Sequence, residues 1–161
     1  MNDTARDASF GARLLRSWNR LRGVPGGRWL FSRMVGRAAP YSGSMRAQVL
    51  ELEPGHAVVQ LKDRRAVRNH LRSIHAIALA NLGELSSGLA AAAAMPQGVR
   101  GIPTAIAIEY LHKARGTLTA TGTAALPEVT EPVTADVHAD IRDATGMTVT
   151  TVRVTWKLER V

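Results

Sequence analysis

The stretch from Ile74 to Met95, IHAIALANLGELSSGLAAAAAM, reads as one helix that is apolar on every side and carries a single formal charge, Glu84. A helix packed on one face shows a polar stripe on the other; one that is apolar all round is surrounded. Gly83, Gly88 and the five alanines at 90–94 let strands approach its backbone on several faces, although a mid-helix glycine costs about 1 kcal/mol against alanine. Its length would also cross a bilayer, but it holds His75, Asn81, Glu84, Ser86 and Ser87, and a mid-membrane acid costs roughly 2.5–3.5 kcal/mol. A soluble core helix is the expectation, with Ser73 as its N-cap and MPQG as its stop.

The flanking segments change to a period of two. Met45, Ala47 and Val49 alternate with polar residues, EPG at 53–55 turns the chain, and Ala57, Val59 and Leu61 alternate again. After the helix come four more such runs, marked by Ile106, Ile108 and Tyr110; by Leu118, Ala120 and Ala124; by Val133, Ala135, Val137, Ala139 and Ile141; and by Val152, Val154, Trp156 and Leu158. DATG at 143–146 supplies hairpin chemistry between the last two. Two strands, one all-round apolar helix and four strands have one compact solution. The prediction is an α+β domain over residues 41–161, a curved six-stranded antiparallel sheet wrapped around a long central helix.

Residues 1–40 form a different region, a basic helical extension. Phe10, Leu14, Trp18 and Leu21 make one helical stripe, VPGG breaks it, and RWLFSRMVGRAAP reads as a second short helix. Eight arginines stand here against Asp3 and Asp7, so most of the net charge of +8 belongs to this arm. A helical hairpin capping the domain accounts for it; peripheral membrane contact through residues 8–22, or an acidic protein partner, is the alternative. Nucleic acid is not expected, because the basic residues are not interleaved with stacking aromatics.

With 161 residues and no cysteine, a single domain is expected, and disulfides, thiol nucleophiles and cysteine-ligated zinc are excluded. RLLRSWNRLRG is too interrupted by arginine to be a signal-peptide core, so a cytoplasmic location fits. Five scattered histidines show no ligand spacing, so no metal and no cofactor are expected.

The order strand–strand–long helix–four strands resembles the hot-dog fold of acyl-thioester enzymes. Asn69, His75 and Glu84 stand at the spacings of the phenylacetyl-CoA thioesterase branch, in which an asparagine is followed six residues later by a His-Gly-Gly turn and then by an acid nine residues after the histidine. IEYLHKARG at 108–116 also resembles that branch's strand after the helix. The resemblance implies a thioesterase in which Glu84 acts as base or nucleophile and the backbone amide of Ala76 receives the oxyanion. Asn69 would orient water or carbonyl and His75 would shape the turn. The glycine pair is here Ala76-Ile77; alanine keeps the N–H, while the added side chains narrow the space for a thioester carbonyl.

Physical chemistry bears on the same residues. The first amides of a helix lack intrahelical partners and carry the positive end of its dipole. Residue 76 sits at that end, but Glu84 lies about 12 Å further along, too far for both to address one carbonyl. Two antiparallel copies would bring them together, so a homodimer with shared sites is expected, with a dimer of dimers (a homotetramer) left open. Arg64, Arg65, Arg68 and Arg72 precede the helix, and Lys113 and Arg115 follow the next strand. If these loops meet, they suit the phosphates of coenzyme A, carried as part of the substrate, or those of an acyl carrier protein. Other readings stay open: Glu84 paired with a loop arginine or with Asn81, His75 as a satisfied interior histidine, Asn69 as a turn residue, the basic residues as solvated loop charges. At the level of function the alternatives are a non-catalytic acyl-CoA-binding module and a hydratase or dehydratase of the same fold.

Overall fold

A computed structural model describes residues 9–161; Asp3, Arg6, Asp7 and Ala8 lie outside the described residues. Six strands, β1 (Gln48–Glu53), β2 (His56–Leu61), β3 (Val99–Tyr110), β4 (Leu118–Thr123), β5 (Val133–Arg142) and β6 (Thr148–Arg160), form one sheet in the order β1-β2-β4-β5-β6-β3. Every neighbouring pair is antiparallel. Helix α4 (Ala76–Ala94) touches all six strands, which is why its sequence is apolar all round.

The contact between helix and sheet is backbone-close. A Cβ on Gly83 would lie 2.3 Å from Val152 Cγ2, and one on Gly122 of β4 would lie 2.2 Å from the carbonyl oxygen of Ser86. The buried hydroxyls of Ser86 and Ser87 both donate to the Gly83 carbonyl, at 3.1 and 2.8 Å, so small polar residues enter this interior with their hydrogen bonds met. Around them Leu82, Val59, Leu118, Val137, Ile141 and Val154 are fully buried.

The strands differ from expectation at one place. β1 begins at Gln48, leaving Met45 and Ala47 in the approach to it, and a register shift between Val49 and Glu51 makes Val49 and Leu52 its buried residues. The alternation of Ile106, Ile108 and Tyr110 marks β3 but leaves open which way they face. β3 is an edge strand, as β1 is on the other side; Ile106 and Tyr110 are exposed, and Ile108 packs partly against the core. Alternation marks a strand, but it does not say whether a neighbour covers its face.

The N-terminal region consists of α1 (Phe10–Leu21), α2 (Gly27–Ala38) and the single turn α3 (Pro40–Gly43). Gly11 presses α1 onto the end of α4, where a Cβ would lie 1.9 Å from the Ala92 carbonyl oxygen. Trp18 and Phe31 are buried in the same core as Val49 and Leu82. Of the predicted stripe, Trp18 is buried and Leu14 and Leu21 are partly buried, while Phe10 stays exposed.

Candidate active site

Helix α4 starts two residues later than its polar lead-in suggests. The cap is His75, whose Nδ1 accepts the N–H of Ile77 at 3.1 Å, and the expected cap, Ser73, has a buried hydroxyl without a partner among the described residues. His75 thus takes one of the helix's free amides for itself. Ala76, next to the cap and exposed, keeps an N–H without an intrahelical acceptor. Above it Tyr110 of β3 donates its hydroxyl to the Ala76 carbonyl at 3.2 Å. Ile77 is exposed at the same place.

Asn69 builds the turn that delivers the chain to this helix. Its Oδ1 accepts the N–H groups of Leu71 and Ser73 at 2.9 and 3.1 Å, and its own N–H donates to the Ser73 carbonyl. Asn69, His75 and Ala76 therefore gather at the N-terminal end of α4. Glu84, eight residues on, is about two turns away, so one chain does not bring all four to a point.

Glu84 faces the N-terminal helices. Its carboxylate has no hydrogen bond or ion pair with any described residue. Asn81, one of its candidate partners, accepts instead from the hydroxyl of Ser42 at 2.8 Å. Burial pushes the Glu84 pKa up from its ordinary 4.5, because desolvation disfavours the charged form and nothing nearby offsets it. The carboxylate opens into a cavity of about 460 Å³ between α4 and the helices α1, α2 and α3, with Gly88 and Ala92 along its floor. Trp156 of β6 lines it too, and its buried indole N–H has no acceptor among the described residues.

The two basic loops do meet. The Ile74 N–H donates to the Ala114 carbonyl at 2.8 Å, and Asp63 accepts both the Gly116 N–H, at 2.9 Å, and the guanidinium of Arg68. That hydrogen bond from Arg68 holds the Asp63 carboxyl below its ordinary value. Arg64 donates to the Ser44 carbonyl at 2.6 Å. Two of the six predicted phosphate ligands thus already have protein partners. Arg65, Arg72, Lys113 and Arg115 are exposed and have no ion pair among the described residues.

Sequence reasoning did not single out Tyr110, Trp156, Ser42 or the α1–α2 lining of the cavity as parts of the site. The inward phase of β6 placed Trp156 in the interior, and the stripe on α1 showed that this helix docks; neither signal says what it docks beside. Gly88, grouped with Gly83 as a strand-approach residue, meets no strand backbone within 4 Å.

Similarity to known proteins fits this geometry. The family model described as "Domain of unknown function (DUF4442)" matches residues 27–158. No curated protein matches the chain. A solved structure described as genomics APC5556 is 31% identical with a TM-score of 0.81, covering 93% of this chain and 100% of that one. PA5026 from Pseudomonas aeruginosa, described as a protein of unknown function and "Probable Thioesterase", is 15% identical with a TM-score of 0.73, over 86% of this chain and 97% of that one. Thioesterase HI1161 from Haemophilus influenzae is also 15% identical, with a TM-score of 0.64, over 74% of this chain and 82% of its own. At such identities the last two are similar in fold.

Proposed function

The chain belongs to the family described as Domain of unknown function (DUF4442) and has the hot-dog fold of the thioesterases, and from that premise we propose that it hydrolyses an acyl thioester. The observation that carries this reading is the unpaired carboxylate of Glu84 at the wall of an apolar cavity. A half-buried acid without a partner among the described residues costs stability, and reactivity is a reason to keep one there.

In the proposed reaction Glu84 takes a proton from water as the water attacks the thioester carbonyl, the C–S bond breaks, and the thiol leaves with the proton. In the variant step the carboxylate itself attacks the carbonyl carbon and the C–S bond breaks to expel the thiolate; water then hydrolyses the mixed anhydride, which frees the acid, restores the Glu84 carboxylate and supplies the proton the thiolate takes up. The Ala76 N–H of a second copy receives the oxyanion, a contribution on the order of 10²–10³ in rate. The long β3 edge supports such a pairing. It exposes Ile102, Ile106 and Tyr110 beside unpaired backbone groups, the kind of edge that recruits another strand. Arg65, Arg72, Lys113 and Arg115 suit the phosphates of coenzyme A or of a carrier protein's phosphopantetheine.

A screen of short, long and aromatic acyl-CoAs for thiol release tests the reading; measurable turnover is the expected result, and none across the panel contradicts it. The second reading is a non-catalytic acyl-CoA-binding module. It is favoured by the helix start, where His75 occupies the Ile77 amide and the exposed Ile77 side chain stands where the resembling branch has glycine. Thermal stabilisation by acyl-CoA without hydrolysis would establish it.

A further inference from the structure

Two glycines interrupt α4, and only one has a packing reason. A Cβ on Gly83 would collide with Val152, whereas a Cβ on Gly88 would meet just Glu84 Oε1 at 3.6 Å and Trp156 Cζ2 at 3.8 Å, both ordinary contact distances. Within the fold, then, alanine fits at residue 88, and it would remove the roughly 1 kcal/mol that a mid-helix glycine costs. What glycine provides instead is a bare strip of helix between the acid and the indole, opening to the cavity beneath the N-terminal helices.

We infer that Gly88 sets the acyl-chain specificity of this site, and that the cavity between α4 and the α1–α2 pair holds a straight, medium-to-long acyl chain. The inference rests on the thioester reading of Glu84 and adds the substrate class. The chain lies over Gly88 with its carbonyl end at Glu84 and its methyl end toward Ala92. Glu84, Gly88 and Ala92 fall on one stripe of the helix, about 12 Å from end to end. Three bonds of an extended backbone span about 3.5 Å, so an alkyl chain covers that stripe in about ten bonds. Leu14, Phe31 and Val35 provide an apolar cover from the N-terminal helices, and a cavity of about 460 Å³ lies within the usual size of small-molecule sites. A flexible hydrocarbon needs no polar partner along its length, and the floor offers none at Gly88 and Ala92.

The experiment compares wild type, Gly88→Ala and Gly88→Leu by calorimetric binding of dodecanoyl-CoA, octanoyl-CoA and free coenzyme A. It adds hydrolysis of dodecanoyl- and acetyl-CoA, the melting temperature, and the mass in solution. Wild type is expected to bind dodecanoyl-CoA at least a hundredfold more tightly than coenzyme A, since each buried methylene is worth about fourfold. Gly88→Ala should melt no lower than wild type, keep its mass, and lower the dodecanoyl-to-acetyl ratio of kcat/KM by about tenfold; Gly88→Leu should lower it further. Equal affinity of wild type for dodecanoyl-CoA and coenzyme A overturns the inference. So does an unchanged chain-length profile in a folded variant, or a drop in mass that makes Gly88 a contact between copies. Tight dodecanoyl-CoA binding that Gly88→Leu abolishes, with no hydrolysis by any form, retains the acyl site and removes the hydrolase reading.

Discussion

The rings of Trp18 and Phe31 meet edge-to-face, with centroids 5.1 Å apart and planes at 64°, and this contact joins α1 to α2 above the cavity that Glu84 faces. Both side chains are buried, so the cover is part of the core. Trp18→Ala is expected to cost about 3–5 kcal/mol, read by chemical denaturation. Removing residues 1–22 should lower stability likewise. Unchanged stability with a loss only of liposome association would instead make α1 an anchor.

His75 is tied to helix capping through the bond from the Ile77 amide. His75→Ala should therefore lose roughly 0.5–2 kcal/mol, while His75→Asn, with a side chain that caps well, should lose little. Thermal melting of the two variants separates them. If both fold like wild type, and both lose turnover, the imidazole touches substrate as well.

The exposed β3 edge predicts association. Ile106→Glu places a charge on that surface without disturbing a buried contact, since Ile106 is exposed within one chain. Light scattering should show a smaller species than wild type, with turnover falling in step, because the amide at residue 76 and the acid at 84 then no longer come together. An active, monomeric Ile106→Glu variant would contradict the shared site.

Burial raises the Glu84 pKa, and this fixes the sign of two pH effects. Between its ordinary and its raised value the folded chain holds a proton that the unfolded chain has released. Unfolding free energy therefore falls as pH rises across that interval. Glu84→Gln lacks this loss, so its stability advantage should grow with pH over the same window. Turnover, which needs the carboxylate, should rise with pH along a limb lying above the ordinary glutamate range. A Glu84→Gln variant that is less stable than wild type at neutral pH would mean a stabilising partner for the carboxylate.

Much of this architecture is legible in the sequence because it rests on periodicity. An apolar helix without a polar face has to be wrapped, and Ala57, Val59 and Leu61 or Val137, Ala139 and Ile141 show which strand faces do the wrapping. The exposure of Ile106 was not legible, since an edge strand alternates like a central one. The shift of the cap from Ser73 to His75 came from a side-chain hydrogen bond that propensity does not encode. The joining of the basic loops turns on Asp63, a residue with no signature beyond its charge, and it engages Arg68 within the protein, while Arg64 is held separately by the Ser44 carbonyl. The two glycines of α4 look identical in sequence, and only the neighbours at residues 152 and 156 distinguish a packing glycine from an open one.

The most direct test is the steady-state hydrolysis of acyl-CoA by Glu84→Gln beside wild type at neutral pH, with mass and melting recorded on the same samples. A glutamine keeps the shape and removes the base, so kcat should fall by at least about a hundredfold in a protein that is as large and no less stable. Turnover within a few-fold of wild type in that variant would mean that the Glu84 carboxylate is not what cleaves the thioester.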